Sequence, residues 1–222
     1  MGEQGNGRMK TELIYGTGNP AKLTGMKRAL EKLPVEVIGL KEAAEKYQKE
    51  IPYVEETGST PLENARLKAN AYYKVFGKPV FSCDSGLYLW DYETGELLPN
   101  EVQPGICVRG RGEKPYTDEE LINKYTALAQ KFGCVLGRYK NAICFVADEE
   151  HKYECEDESL WGEAFLLAKK PHVKRVPGFP IDSISIEIKS GQYYYDLEGD
   201  SQDVVAAGEG FKNFLDRCIY KT

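Results

Sequence analysis

The chain has 222 residues, long enough to bury a substantial core as one large or two small domains. With 29 Lys+Arg against 35 Asp+Glu, its formal charge of -6 argues against a general duplex-binding protein held by counterion release, although local basic loops can still grip a phosphorylated small molecule. Cys83, Cys107, Cys134, Cys144, Cys155 and Cys218 contain no CxxC pair and read as reduced thiols, not as a disulfide framework or a zinc site.

Residues 1–9 are polar and Gly-rich and are expected to be a disordered lead. Nothing in the chain resembles a signal peptide or a membrane span, so the expectation is a cytoplasmic protein without nucleic-acid or membrane partners. Glu12–Tyr15 is a short apolar strand followed at once by Gly16-Thr17-Gly18-Asn19-Pro20-Ala21-Lys22. Asn19 suits an N-cap and Pro20 the first helical position, with Leu23, Met26, Ala29 and Leu30 forming one apolar face. A strand, a glycine loop and a helix start leave free backbone N–H groups beside a positive helix end, a natural phosphate cradle to which Lys22 adds a charge. The GK[ST] ending of a Walker A loop is absent.

Val35–Leu40 is a second expected strand and Lys41–Glu50 a charged, helical connector. In Val54–Ala65, Thr60, Pro61 and Glu63 form a capping box opening a helix to about Phe76. Glu63 is accounted for by that cap, whereas Glu55 and Glu56 lie in the loop before it, facing either a metal or solvent. Val80 and Phe81 read as a buried strand ending at Ser82-Cys83-Asp84-Ser85-Gly86, which would put Asp84 at a strand's carboxyl end, where α/β sheets bind ligands. The alternative is a plain tight turn, with Asp84 bonding its own backbone and Gly86 at positive φ.

Thr117–Phe132 opens with a second capping box, Thr117 to Glu120, and turns Leu121, Ile122, Tyr125, Leu128 and Ala129 inward. Tyr139–Ala147 and Tyr153–Leu167 read as two long antiparallel strands around the Asp148–Lys152 turn, and Asp203–Tyr220 as the last helix. A basic run, Lys169, Lys170, His172, Lys174 and Arg175, precedes Gly178-Phe179-Pro180-Ile181-Asp182, and Arg109 and Arg111 follow Pro104-Gly105-Ile106.

In order, TGNxxK, EETGxTxxENA, DSGL, PGI and GFxxD resemble the motifs of the non-canonical purine nucleoside triphosphate pyrophosphatases, the inosine triphosphatase family, over roughly residues 11–219. The resemblance implies an α/β fold: an elongated mixed sheet with flanking helices, and two lobes around a nucleotide-binding groove within one domain spanning residues 10–222. It implies a homodimeric hydrolase that uses Mg²⁺ to cleave the α–β bond of inosine or xanthosine triphosphate to a monophosphate and pyrophosphate. By the same resemblance, Glu56 and Asp84 would hold the metal, with Asp84 also activating water. Lys22 would be catalytic and would grip phosphate together with Thr17, Asn19, Ser85 and Gly86, while Phe179 would stack on the purine with Asp182 near the base or sugar.

The chain departs from the family at several of these places. Cys83 replaces an acidic neighbour of Asp84, and Pro180 and Ile181 alter the GFGYDP segment. Gln202 and Ala206-Ala207-Gly208 stand where the family has Lys and Ser-His-Arg. Those changes put base specificity in question, leave Arg109, Arg111 or the 169–175 run to replace the lost charges, and raise as the alternative a nucleotide-binding protein with lost or altered catalysis.

Overall fold

A computed structural model of the chain describes residues 10–110, 114–197 and 208–219. The chain forms two compact units, the first from residues 1–84, 142–160 and 208–222, the second from residues 85–141 and 161–207. A mixed seven-stranded sheet flanked by helices runs in the order β2-β1-β3-β4-β6-β7, with β5 paired to β4. This bears out the expected α/β class.

In the first unit, β1 (Thr11–Tyr15) pairs in parallel with β2 (Val35–Gly39) and with the start of β3 (Val80–Asp91). Parallel strands buried on both faces need apolar residues throughout, and Leu13, Ile14, Val80 and Phe81 are all fully buried. Tyr15 and Phe81 stack across the β1–β3 pair with ring centroids 4.7 Å apart. Helix α1 (Pro20–Ala29) begins as expected, with Asn19 Oδ1 accepting from the N–H groups of Ala21 and Lys22. The expected connector is α2 (Leu40–Tyr47), which starts one residue earlier and ends at Gln48 in the left-handed conformation.

Helix α3 (Pro61–Phe76) ends where the sequence indicates, at a Gly77 of positive φ. Only half of its anticipated capping box forms. Thr60 Oγ1 accepts from Glu63 N–H, but the Glu63 carboxylate accepts from Ser59 N–H and Oγ instead of closing on Thr60. Arg66 of α3 forms a bidentate pair with Glu154 at 2.6 and 2.8 Å, tying the helix to β5 (Lys152–Cys155).

In the second unit, α4 (Asp118–Phe132) opens with the full Thr117–Glu120 capping box and buries Leu121, Ile122, Tyr125 and Ala129 against Leu87, Leu89 and Phe165. β6 (Phe165–Leu167) pairs antiparallel with the first part of β4 (Val135–Val146) and with β7 (Ser185–Glu187).

Two strand expectations also fail. β3 does not stop at Ser82–Gly86 but runs through it to Asp91, and Gly86 is not among the positive-φ glycines, so Asp84 sits within a strand and the tight-turn reading falls too. The reason is pairing beyond the motif. Leu87 exchanges both backbone hydrogen bonds with Gly105, and a Cβ on Gly86 would come within 3.1 Å of Gly105 carbon, so the glycine admits a neighbouring backbone and does not make a turn. The expected long strand Tyr153–Leu167 is broken into β5 and β6 by a 3-10 turn at Glu158–Leu160, where Asp157 Oδ1 accepts from Ser159 N–H and Oγ. The last helix, α5, is described as Gly208–Ile219; its anticipated start from Asp203, like Val204, lies outside the described residues.

Candidate active site

In the first unit, the loop after β1 is pinned against β3. Gly16 N–H donates to Phe81 O at 2.8 Å, and a Cβ at Gly16 would lie 2.1 Å from Ser82 Oγ and 2.7 Å from the Tyr72 ring, so no other residue fits. Thr17 Oγ1 accepts from Asn19 N–H at 3.2 Å, which with the Asn19 cap orders the turn into α1. Thr17 is half-buried, whereas Asn19 and Lys22 are exposed at the helix start.

Glu56 and Asp84 both reach one residue that sequence reasoning passed over. Lys68 Nζ lies 3.2 Å from Glu56 Oε2 and 3.0 Å from Asp84 Oδ1. Burial pulls the Lys68 pKa down, and the two carboxylates more than offset it, so the net shift is upward and the ammonium is held charged. Asn64, buried on the same face of α3, completes the arrangement. Its Oδ1 accepts from Gly58 N–H at 2.8 Å and its Nδ2 donates to Asp84 Oδ2 at 3.1 Å, tying the loop that carries Glu56 to the strand that carries Asp84. The helical spacing of Asn64 and Lys68, four residues apart in the EETGxTxxENA helix, was the available signal.

Cys83 faces Tyr15, whose hydroxyl donates to its sulfur. Burial pushes the thiol up to about 12 against the opposing pull of the Lys22 and Lys68 ammonium groups. It therefore stays neutral where the family carries a second carboxylate.

Two carboxylates converging on one point already held by a cation suit a hard divalent ion, and both supply oxygen alone. Among the described residues no cluster of three or more His, Cys, Asp or Glu is placed to hold a metal, so the rest of the coordination shell would come from water and phosphate.

The second unit carries the other predicted groups. Ser85 is half-buried and Gly86 buried in β3. The Phe179 ring is 39% exposed on the loop before the 3-10 turn Ile181–Ile184. That loop is fastened to the first turn of α4, where Asp118 Oδ2 accepts from Gly178 N–H at 2.7 Å while Oδ1 accepts from Arg109 Nη2 at 2.8 Å. Burial pushes the Asp182 carboxyl up to about 6. The candidate replacement cations are largely engaged. Arg175 pairs with Glu119 at 2.7 Å, and His172 Nε2 stands 3.2 Å from Asp196 with its ring against Tyr193 and Tyr195. Arg111, Gln202, Ala206 and Ala207 lie outside the described residues.

The Ham1 family profile matches residues 13–166, more than half of the chain. The chain belongs to the Ham1 family. Among curated relatives, it is 41% identical over 135 residues to the dITP/XTP pyrophosphatase of Synechocystis sp., a match covering 61% of this chain and 58% of that protein. It is 28% identical over 138 residues to the dITP/XTP pyrophosphatase of Prochlorococcus marinus, covering 62% of this chain and 61% of the relative. The matched stretch thus spans about three fifths of the length of these relatives. A Ham1 protein structure from Coxiella burnetii shares the fold at a TM-score of 0.68 and 23% identity, covering 93% of this chain and 99% of that one. The Staphylococcus aureus Ham1 structure does so at 0.66 with the same identity and coverage. Pyrophosphatases of this Ham1 family generally depend on a divalent metal. No helix among the described residues is long and apolar enough to cross a membrane.

Proposed function

We propose that this Ham1 protein hydrolyses non-canonical purine nucleoside triphosphates, such as those of inosine and xanthosine, to the monophosphate and pyrophosphate with Mg²⁺. The observation that carries the reading is the convergence of Glu56 and Asp84 on Lys68, in the same unit as the Gly16–Lys22 cradle. Water adds across the α–β anhydride: its hydroxyl ends on phosphorus, its proton passes to the Asp84 carboxylate, and the other phosphate fragment leaves with the bridging oxygen. Glu56 and Asp84 would hold Mg²⁺, which when bound neutralises charge on the phosphate oxygens. With that ion bound, Lys68 would serve as a second cation for phosphate alongside Lys22 and the positive end of α1, whose first-turn N–H groups are already taken by Asn19. Because Asn19 Oδ1 and Thr17 Oγ1 are spent on the turn, these two residues act through the Asn19 side-chain NH₂ and the Thr17 hydroxyl proton. Ser85 supplies a further hydroxyl, and Gly86 keeps the strand bare of a side chain.

Phe179 stacks on the purine and Asp182, ionised at neutral pH, accepts from the N1–H that 6-oxopurines carry and adenine lacks. We extend the reading to a cytoplasmic homodimer; light scattering and cell fractionation test these two points. Phosphate release measured with and without added inorganic pyrophosphatase, over standard, inosine and xanthosine triphosphates, tests the activity itself. Pyrophosphate-dependent signal is expected with the inosine and xanthosine substrates, whereas direct orthophosphate release would sink the proposed bond. The replacement of the family's Lys and Ser-His-Arg by Gln202 and Ala206-Ala207-Gly208 favours one second reading, a binding protein without turnover, which predicts nucleotide binding and no product.

A further inference from the structure

The second unit carries an open surface depression of about 370 Å³ that the proposed reaction does not use, lined by Trp90, Tyr92, Leu136, Arg138, Trp161 and Asp91, among others. Alternation along β3 and β4 explains its make-up. Leu87, Leu89 and Val135 point into the core, so Tyr88, Trp90, Leu136, Arg138 and Lys140 come out on the opposite face.

Two cations on that face have no acidic partner among the described residues. Arg138 donates through Nε to Gly162 O at 2.8 Å and lies 5.2 Å from the Trp161 ring, which fixes its plane, and its two Nη groups have no acceptor among the described residues. Lys140 Nζ stands 4.4 Å from the Trp161 centroid, 4.7 Å from Tyr88 and 5.3 Å from Trp90, bracing the three rings. Asp91, the acidic residue of the lining, has its Oδ1 committed to the N–H groups of Glu93 and Thr94 at 2.9 Å.

We propose that this depression is a second, non-catalytic site for a nucleoside monophosphate, with the base against the Trp90 and Trp161 indoles and the phosphate on Arg138. A guanidinium held in one plane, with no acidic partner among the described residues, matches a phosphate's paired oxygens, and indoles offer the π-surface that any base can stack on. The volume suits one base and its phosphate, and the chain's net charge of -6 opposes a polyanionic strand.

Trp90 and Trp161 are the only two tryptophans in the chain, so intrinsic indole fluorescence reports on this depression directly. Inosine monophosphate, inosine and inorganic phosphate are each titrated against the full chain. The expected result is saturable quenching by the monophosphate, at least tenfold weaker binding of inosine, and no quenching by phosphate alone. Arg138→Gln should weaken monophosphate binding about tenfold or more, to the inosine level, as should Ala164→Glu, which sets a negative charge in the lining without touching Arg138. If Arg138→Gln fails to fold, Ala164→Glu decides alone. Phe179→Ala should leave the quenching intact. No saturable change, equal response to inosine and its monophosphate, or quenching lost in Phe179→Ala but kept in Ala164→Glu would each overturn the proposal.

Discussion

Lys68 Nζ stands 3.0 Å from Asp84 Oδ1, and with Glu56 at 3.2 Å it places an ammonium between the two carboxylates that a divalent ion would share. Lys68→Gln removes that charge and leaves the carboxylates facing each other. The loss is about 2 kcal/mol, below the figure for a fully buried pair because Glu56 is half-exposed. Mg²⁺ should raise the melting temperature of Lys68→Gln more than that of the unaltered protein, since the ion then meets no resident competitor. Equal Mg²⁺ shifts in thermal melts would separate Lys68 from the metal. Since the Lys68 pKa is raised on folding, its stabilisation is complete at neutral pH and fades only as pH climbs past the ordinary lysine value.

Asp84→Asn keeps the side-chain shape and should lower kcat about 10²-fold or more, the scale for loss of a positioned acid–base group. A carboxylate beside other acidic groups is often a source of repulsion, and its neutralisation then costs little. The contacts with Lys68 and Asn64 reverse that expectation, and a loss of about 1–2 kcal/mol is predicted. Steady-state kinetics with denaturant titrations check both numbers, and near-normal turnover with a normal Mg²⁺ response would leave Glu56 as the principal ligand.

Asp182 gives a pH signature. Its folded pKa, about 6, lies above the ordinary aspartate value, so between roughly pH 4 and 6 the folded chain holds a proton that the unfolded chain has released. The contribution of Asp182 therefore falls as pH rises through that window and is flat above it, by about 1–3 kcal/mol in all. Asp182→Asn should gain stability relative to the unaltered protein from pH 4 to 6. A pH-independent difference in melting temperature would show that the carboxyl is not desolvated. In kinetics, KM for inosine triphosphate should rise below pH 6 in the unaltered protein and stay level in Asp182→Asn.

Phe179→Ala should weaken substrate binding by about 1–3 kcal/mol, the cost of one aromatic–base stack. Because the ring is already 39% exposed, the melting temperature should hardly move. An unaltered KM with a lowered melting temperature would make Phe179 an anchor of its loop.

Local chemistry made parts of this molecule readable in advance. The Asn19 cap, the Thr117 capping box and the Gly77 helix end depend on side chains within a few positions of one another, and all three form. Glu56 and Asp84 were also legible, as matches to ordered motifs. Ser85 and Gly86 misled because their propensity for turns was overridden by the pairing of the next residue, Leu87, with Gly105, a partner 18 positions away that no local pattern reveals. Lys68 was overlooked for a similar reason: a lysine on a helix reads as solvated until the fold brings two carboxylates to it.

The division of the chain into units also bears on its biosynthesis. The first unit draws on three separated segments, the last of which holds α5 and its buried Phe211, Phe214, Leu215 and Cys218. Every residue of the second unit precedes that helix in the order of translation. The portion carrying Glu56, Lys68 and Asp84 thus emerges first from the ribosome yet is completed last, its apolar surfaces waiting for a helix some 120 residues behind Asp84. A nascent or prematurely ended chain would keep the material for the second unit whole while leaving the carboxylate pair on a half-built scaffold, which makes this end of the protein the one that most needs protection during synthesis.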